Sequence, residues 1–331
     1  MKRMLKFLKW TAIVLVSVAL VFFIFVQLTW DKKHDAPYPD IKASSDSGMI
    51  ARGAYLVHSP AHCGVCHSAM EDVIKSESGE KVDLKGGWEL SFPGFGVFRS
   101  ANLTSDKETG IGQFTDAEIA RSLRYGVGRD GRTLFPMMPF QEMSDEDLTA
   151  IISYLRTLPP VKNKVKPTEY GFMYKALLAV GLVKPEGPKS TPVKSVVKEP
   201  TVAYGKYVAY NISNCFSCHT EVDMNTGKFI GKDFAGKAYF EADAFSDGYS
   251  YMSPNLTPDK ATGVMANWTE EEFISRFKQG RVQKGSPMPW GAFSRMDTVE
   301  LRALYVFLHS LEPVGNKIEQ TVFKPGESPK K

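Results

Sequence analysis

All four cysteines of this 331-residue sequence fall in two copies of one pentapeptide, Cys63-Gly64-Val65-Cys66-His67 and Cys215-Phe216-Ser217-Cys218-His219. No thiol is left for a disulfide or for another metal. The spacing Cys-x-x-Cys-His reads as an attachment site for a c-type haem. Thiols three residues apart can each form a thioether to a haem vinyl group, and the adjacent imidazole becomes the proximal iron ligand. A structural zinc site needs four ligands, typically two Cys pairs across a short loop, whereas these pairs stand 152 residues apart. A thioredoxin-like dithiol needs a surrounding βαβ pattern, which neither site has. The expectation is two covalently attached c-type haems, with the irons ligated by His67 and His219.

An internal repeat puts the two sites in register. Gly53-x-Tyr55 precedes Cys63 as Gly205-x-Tyr207 precedes Cys215. Downstream, Asn102-Leu103-Thr104-x-Asp106-Lys107-x-Thr109-Gly110 matches Asn255-Leu256-Thr257-x-Asp259-Lys260-x-Thr262-Gly263. Phe114-Thr115-Asp116 and Trp268-Thr269-Glu270 follow, each leading into an acidic cluster. Such agreement across unlike intervening sequence marks a duplicated unit.

The repeat also nominates the sixth iron ligands. Aligning Met-Pro-aromatic pairs Met138-Pro139-Phe140 with Met288-Pro289-Trp290. A thioether is a soft ligand, and flanking prolines stiffen the loop presenting it. Met137 competes with Met138, its other role being to pack on the haem edge. Met143 and Met296 read as core residues. His309 aligns with Arg156 and reads as a solvated helix position. His58 aligns with Tyr210 and His62 with Asn214, so neither imidazole is shared by the copies; His34 is juxtamembrane. Arg99, Arg124 and Arg276 lie near repeat elements, where they either neutralise haem carboxylates or sit solvated at the surface.

The first thirty residues set the compartment. Lys2, Arg3, Lys6 and Lys9 precede an apolar run from Thr11 to Trp30, and about 20 such residues cross a bilayer as a helix. The basic flank keeps the N-terminus cytoplasmic and sends the rest across. A cleaved signal would have a shorter apolar stretch ending in small residues; here it ends Gln27-Leu28-Thr29-Trp30, which favours an uncleaved anchor. A formal net charge of +4 gives no ground for nucleic-acid binding. The expected location is a bacterial inner membrane, single-pass, with the haem domains periplasmic.

The fold expected is mainly α: two tandem cytochrome c-like haem domains after an N-terminal transmembrane helix. Residues 1–30 are the basic flank and anchor, 31–47 a juxtamembrane linker, and 48–160 the first haem domain. A Pro/Lys-rich linker, 161–200, joins it to the second domain, 201–315, and 316–331 are a flexible tail. Each domain opens with a short helix on Gly-x-Tyr and closes with an amphipathic helix, Ser144–Leu158 or Asp297–Leu311. Ser144 with Asp147 resembles a capping box. Shorter helices run Thr115–Tyr125 and Thr269–Gln279. Gly53 and Gly205 permit close crossing of the opening and closing helices, against Tyr154 and Phe307.

Taken together, these elements resemble the membrane-associated multihaem cytochrome c subunits of bacterial alcohol and gluconate-type dehydrogenases. The resemblance rests on Cys-x-x-Cys-His, the Asn-Leu-Thr segment, the aromatic-Thr-acidic cluster and Met-Pro-aromatic, and covers about two-thirds of the chain. It implies electron transfer in an oxidoreductase complex. The chain departs from that family in having two haem sites where three are usual, and in its N-terminal anchor. The 75 residues from Cys63 to Met138 and the 73 from Cys215 to Met288 are long for a minimal cytochrome, unlike the small-domain diheme subunits of haem-copper oxidases.

His/Met ligation closes both axial positions and raises the potential. The expected function is one-electron relay between a quinol-oxidising complex or dehydrogenase and an oxidase or soluble cytochrome. The chain is then an electron carrier rather than a catalyst by itself. A diheme peroxidase, a thiosulfate-type oxidoreductase or a haem sensor would need an open or exchangeable iron site, against which Met138 and Met288 argue.

Overall fold

A computed structural model describes residues 2–223, 227–243 and 245–329. Its first element, α1 (Lys2–Thr29), has a mean hydropathy of 2.7 over its most apolar window and is almost wholly exposed. At 1.5 Å per residue it is about 42 Å long, more than the ~30 Å hydrocarbon thickness.

The first unit contains α2 (Ser47–His58), α3 (Cys63–His67), α4 (Val73–Ser78), the hairpin β1 (Glu89–Phe92) and β2 (Gly96–Arg99), α5 (Asp116–Tyr125) and α6 (Asp145–Thr157). Next come β3 (Glu169–Tyr170) and α7 (Phe172–Ala179). The second unit has α8 (Val202–Tyr207), prolonged by a π-helical turn over Val208–Ile212, then α9 (Cys215–Cys218) and the short strands β4 (Val222–Asp223), β5 (Lys228–Phe229), β6 (Tyr239–Phe240) and β7 (Ser250–Met252). It ends with α10 (Glu270–Lys278), α11 (Trp290–Phe293), α12 (Thr298–His309) and β8 (Val322–Phe323).

Helix starts follow from local chemistry. Thr115 and Thr269 each accept from the amide three residues on, while Glu118 and Glu272 reach back to the threonine amides, so α5 and α10 begin with complete capping boxes. Ser144 caps α6 through the Asp147 amide, but the Asp147 carboxylate turns inward to Arg52 and Tyr207. The box expected there is therefore half made, because the partly buried Arg52 guanidinium competes for its carboxylate.

The close helix crossings are present in both units. A Cβ at Gly53 would stand 1.9 Å from the Ala150 carbonyl oxygen and 2.8 Å from Tyr154 Cβ. At Gly205 the same distances, to Ala303 and Phe307, are 1.9 and 2.6 Å. Only glycine lets α2 lie on α6, and α8 on α12, at this separation.

The segments outside the units are ordered by pairing. β3 joins β1–β2 as a third antiparallel strand, with Gly96 opposite Tyr170. Past α7 the linker straps α6, as Asp145 and Glu146 amides donate to the carbonyls of Val193 and Lys194. The tail expected to be flexible instead supplies β8 to the β6–β7 pair. Phe323 is 4% exposed there and packs edge-on against Tyr239, so a buried aromatic holds the Lys/Pro-rich segment down.

One apolar core runs through both units, from Leu56, Met143 and Ile152 to Ile212, Met296 and Leu304. Beside it lies a polar network with near two-fold symmetry. The Tyr55 hydroxyl accepts from the Asp297 amide at the N-cap of α12 and donates to Glu300. Its repeat partner, the Tyr207 hydroxyl, accepts from the Ser144 amide at the N-cap of α6 and donates to Asp147. Each unit's tyrosine thus completes the other unit's closing helix. Arg52 breaks the symmetry by bonding both carboxylates, Asp147 at 3.0 Å and Glu300 at 2.9 Å, where its repeat partner Tyr204 bonds only Glu300, at 2.8 Å. Burial lowers the Arg52 pKa, but the two carboxylates more than reverse this and leave it raised. Burial, then the nearby carboxylates, raises all three tyrosine pKa values.

Candidate haem sites

α3 and α9 each form a single turn that brings both cysteines of a pair to one side. The residue before each first cysteine is left-handed, His62 at φ 38° and Asn214 at φ 53°. His62 and Asn214 share no side-chain chemistry, yet both types tolerate this conformation. Their common role is to turn the chain into the haem loop, which side-chain comparison alone missed. No disulfide joins these cysteines, and burial pushes the Cys63 and Cys215 thiols up to about 12.

The imidazoles are held alike. His67 Nδ1 lies 2.9 Å from the Ala101 carbonyl oxygen, and His219 Nδ1 lies 3.2 Å from that of Pro254. A carbonyl accepts only, so the proton is on Nδ1 and the Nε2 lone pair is free. Neither Nε2 has a protein partner among the described residues. Burial lowers both pKa values, that of His219 to about 4, which keeps the rings neutral. A neutral imidazole oriented through its second nitrogen is what an iron ligand requires. Each thiol pair with its oriented imidazole fits covalently attached haem.

The Asn-Leu-Thr segment explains how the two carbonyls are placed. Asn102 Oδ1 accepts from the Thr104 amide and hydroxyl, while its Nδ2 donates to Thr109 Oγ1 and to the Val161 carbonyl. Asn255 does the same with Thr257, Thr262 and Val314. Asp106 and Asp259 close the loop by accepting from the amide and hydroxyl of Thr109 or Thr262. Ala101 and Pro254, directly before the two asparagines, are thereby fixed as acceptors. The motif was visible in the sequence; its role in holding the histidine was not.

Of the candidate sixth ligands, Met138 and Met288 are half-buried and pack against the core. Met137 is 47% exposed and lies off that core. Met143 and Met296 are fully buried, as expected. The three arginines have other employment. Arg124 is 2% exposed and donates to the Gln141 and Met143 carbonyls and to Asp145. Arg99 is held by Glu89, Glu169 and the Pro167 carbonyl. Arg276 stacks at 3.6 Å on Trp290 and donates to the Gly280 carbonyl. Each of the three guanidiniums thus has protein partners.

The remaining imidazoles also find protein neighbours. His58 Nε2 bonds the Tyr154 hydroxyl at 2.7 Å, a pair replaced in the second unit by Tyr210 and Phe307 in edge contact. His309 was expected to be solvated. Instead its ring packs 4.0 Å from that of Tyr305, with Nδ1 on the Tyr305 carbonyl and Nε2 buried, because an aromatic neighbour one turn back covers it.

Residues 50–159 match the family model for cytochrome c. The first unit is a cytochrome c domain. The match covers α3, the Asn102 loop and Met138, with the Val161 carbonyl that Asn102 bonds just beyond it, and cytochromes of this family bind haem and transport electrons. Over a longer span the chain is similar to cytochrome c subunits of dehydrogenases. It is 28% identical over 244 residues to the cytochrome c subunit of the quinone alcohol dehydrogenase of Gluconobacter oxydans, covering 72% of this chain and 48% of that protein. It is 28% identical over 246 residues to the gluconate 2-dehydrogenase cytochrome c subunit of Pantoea cypripedii, covering 72% and 52%. A diheme cytochrome c-type protein of Cereibacter sphaeroides is 26% identical over 234 residues, covering 69% and 74%. The chain spans about half the length of the dehydrogenase subunits it matches.

Proposed function

We propose that the chain is a membrane-anchored diheme cytochrome c that relays single electrons outside the cytoplasm. The observation carrying this reading is that one ligand scaffold is built twice. A free imidazole Nε2 is oriented through Nδ1 by a carbonyl that an Asn-x-Thr loop fixes, and a half-buried Met-Pro lies on the same core. Cys63, Cys66, Cys215 and Cys218 would hold the two haems, with His67 and Met138, and His219 and Met288, as axial ligands. When bound, each haem exchanges one electron without an open coordination site.

The protein's part is to hold those ligands still, which the Asn102 and Asn255 loops and the shared core support. The interface between the units keeps the two sites on one body, the arrangement an internal relay needs. The apolar α1, with its basic N-terminal flank, supports single-pass anchoring with the haem units periplasmic. Similarity to dehydrogenase cytochrome subunits supports a dehydrogenase or quinol as electron source. An oxidase or soluble cytochrome is then the electron sink.

Haem content and carbon monoxide binding test the proposal. The purified chain is expected to carry two covalent haems, to titrate as two one-electron couples, and to resist carbon monoxide when reduced. One haem per chain would refute the diheme reading. Stoichiometric carbon monoxide binding would refute closed iron sites and favour a peroxidase-like or sensor role.

A further inference from the structure

The segment 170–182 lies against the outer end of α1, and its contacts order themselves by depth. The Phe172 ring packs 5.5 Å from that of Phe23 and 6.5 Å from that of Phe22. Phe22 lies seven residues before the end of α1 at Thr29, about 10 Å down the helix axis. Further out, Tyr170 packs 5.1 Å from Trp30. Lys175 Nζ sits 4.7 Å over the Trp30 ring, and Lys32 Nζ donates to the Ala179 carbonyl. Apolar rings are thus deep, and aromatic and basic groups are shallow, the order found across a bilayer interface.

α7 turns opposite faces to the protein and away from it. Tyr174 and Ala179 are buried, 3% and 1% exposed. Phe172, Met173 and Val180 share the outer face with Ala176, and Leu182 follows; Phe172, Met173, Val180 and Leu182 are all well exposed. No charged side chain interrupts that face. Tyr174 stacks edge-on against Phe98 at 4.9 Å and lies 5.8 Å from Phe135, three residues before Met138. The segment is therefore packed onto the loop that carries the candidate iron ligand.

We propose that Phe172, Met173, Val180 and Leu182 enter the interface of a phospholipid bilayer, making α7 a second, surface-lying membrane contact beside α1. The inference rests on the reading of α1 as a bilayer anchor. A depth of about 10 Å matches that of interfacial helices, which bury an apolar face about 5–10 Å into the headgroup and acyl boundary. The lysines at the level of Trp30 suit anionic phosphates. Through Tyr174, Phe98 and Phe135, the contact sets the Met138 side of the first haem unit down toward the membrane surface.

The test places the full-length holoprotein in phosphatidylethanolamine/phosphatidylglycerol vesicles containing a diazirine-tailed phospholipid, with adducts mapped by mass spectrometry after illumination. Peptides covering residues 11–29 and 170–182 are both expected to carry several-fold more adduct than those covering Val264 and Val282, exposed apolar residues of the second unit. The double variant Phe172→Asp/Met173→Asp is expected to lose adducts on 170–182 while keeping those on α1 and an unchanged haem spectrum. If that variant does not fold, the wild-type map decides alone. Adducts on α1 with none above background on 170–182 overturn the inference and give this face to a protein partner. Background labelling of both overturns the anchor reading with it. Labelling of 170–182 alone overturns the anchor reading and, with it, the placement of α7 as a second contact beside α1.

Discussion

Replacing Gly53 by alanine sets two known effects against each other. Both Gly53 and Gly205 have negative φ within helices, so alanine relieves a helix-propensity penalty of about 1 kcal/mol. Against that, the new methyl at Gly53 would lie 1.9 Å from the Ala150 carbonyl oxygen and 2.5 Å from its carbon. Those are backbone atoms, and no rotamer change moves them. Restoring a carbon–oxygen separation of about 3.3 Å means parting α2 from α6 by about 1.4 Å. A gap of 0.5–1 Å already forfeits a quarter to a half of each dispersion contact along the pair. Overpacking typically costs about 1–3 kcal/mol, and the immovable obstacle puts this site at the top of that range. The net loss is then about 2 kcal/mol, or about 4–8 °C in melting temperature for a body of this size. Gly205→Ala, with Ala303 and Phe307 at equal or closer range, should lose at least as much. Gly315→Ala is the control, having no atom within 4 Å of its added methyl. The assay is thermal unfolding of the haem-loaded chain followed by helical circular dichroism. Melting of Gly53→Ala at or above the wild-type temperature would falsify the close-crossing argument.

Met138→Ala and Met288→Ala should each leave one haem without its sixth protein ligand. The affected potential should fall by more than about 59 mV, tenfold for a one-electron couple, while Met137→Ala leaves spectrum and potential unchanged. Potentiometry checks this, and unchanged values in either ligand variant would reassign the ligand. Glu300→Ala removes the acceptor that Arg52, Tyr55 and Tyr204 share. Asp147 still pairs Arg52, so the cost is that of two hydroxyls left without their acceptor, about 1–3 kcal/mol each, measurable as a lower denaturant midpoint; a midpoint within error of wild type would show the network to be dispensable. The Thr109 hydroxyl and amide hold the Asp106 carboxyl below its ordinary pKa, and Thr262 does so for Asp259. A depressed folded pKa contributes stability above the unfolded carboxylate pKa and loses it as pH falls through the folded value. The melting difference between wild type and Asp106→Asn should therefore shrink from pH 7 toward pH 3, and a difference that does not shrink would rule out this origin.

What the sequence made legible was whatever repeats or recurs locally. Cys-x-x-Cys-His, the Asn-Leu-Thr loop, Met-Pro-aromatic and the paired glycines announce themselves within a dozen residues, and the duplication then aligns them. The interface did not announce itself. Tyr55 and Glu300 are 245 residues apart, and a polar residue on an amphipathic helix carries no local mark that its partner lies in the other repeat. His62 and Asn214 escaped for a different reason: their shared property is a backbone angle, which residue identity reports only loosely. The tail reads as mobile from its lysines and prolines, because composition weighs many exposed residues above the one, Phe323, that anchors it.

The exchanged tyrosines have a further consequence. Tyr55 on α12 and Tyr207 on α6 are the same contact made twice, as in the self-complementary interface of a two-fold homodimer. Here both halves belong to one polypeptide, so the tether sets their local concentration and dilution cannot part them. A single unit cut from the chain would expose a helix start whose amide had lost its tyrosine, and would retain a tyrosine with no helix to cap. The pairing that two separate subunits must find by collision is, in this chain, a property of folding.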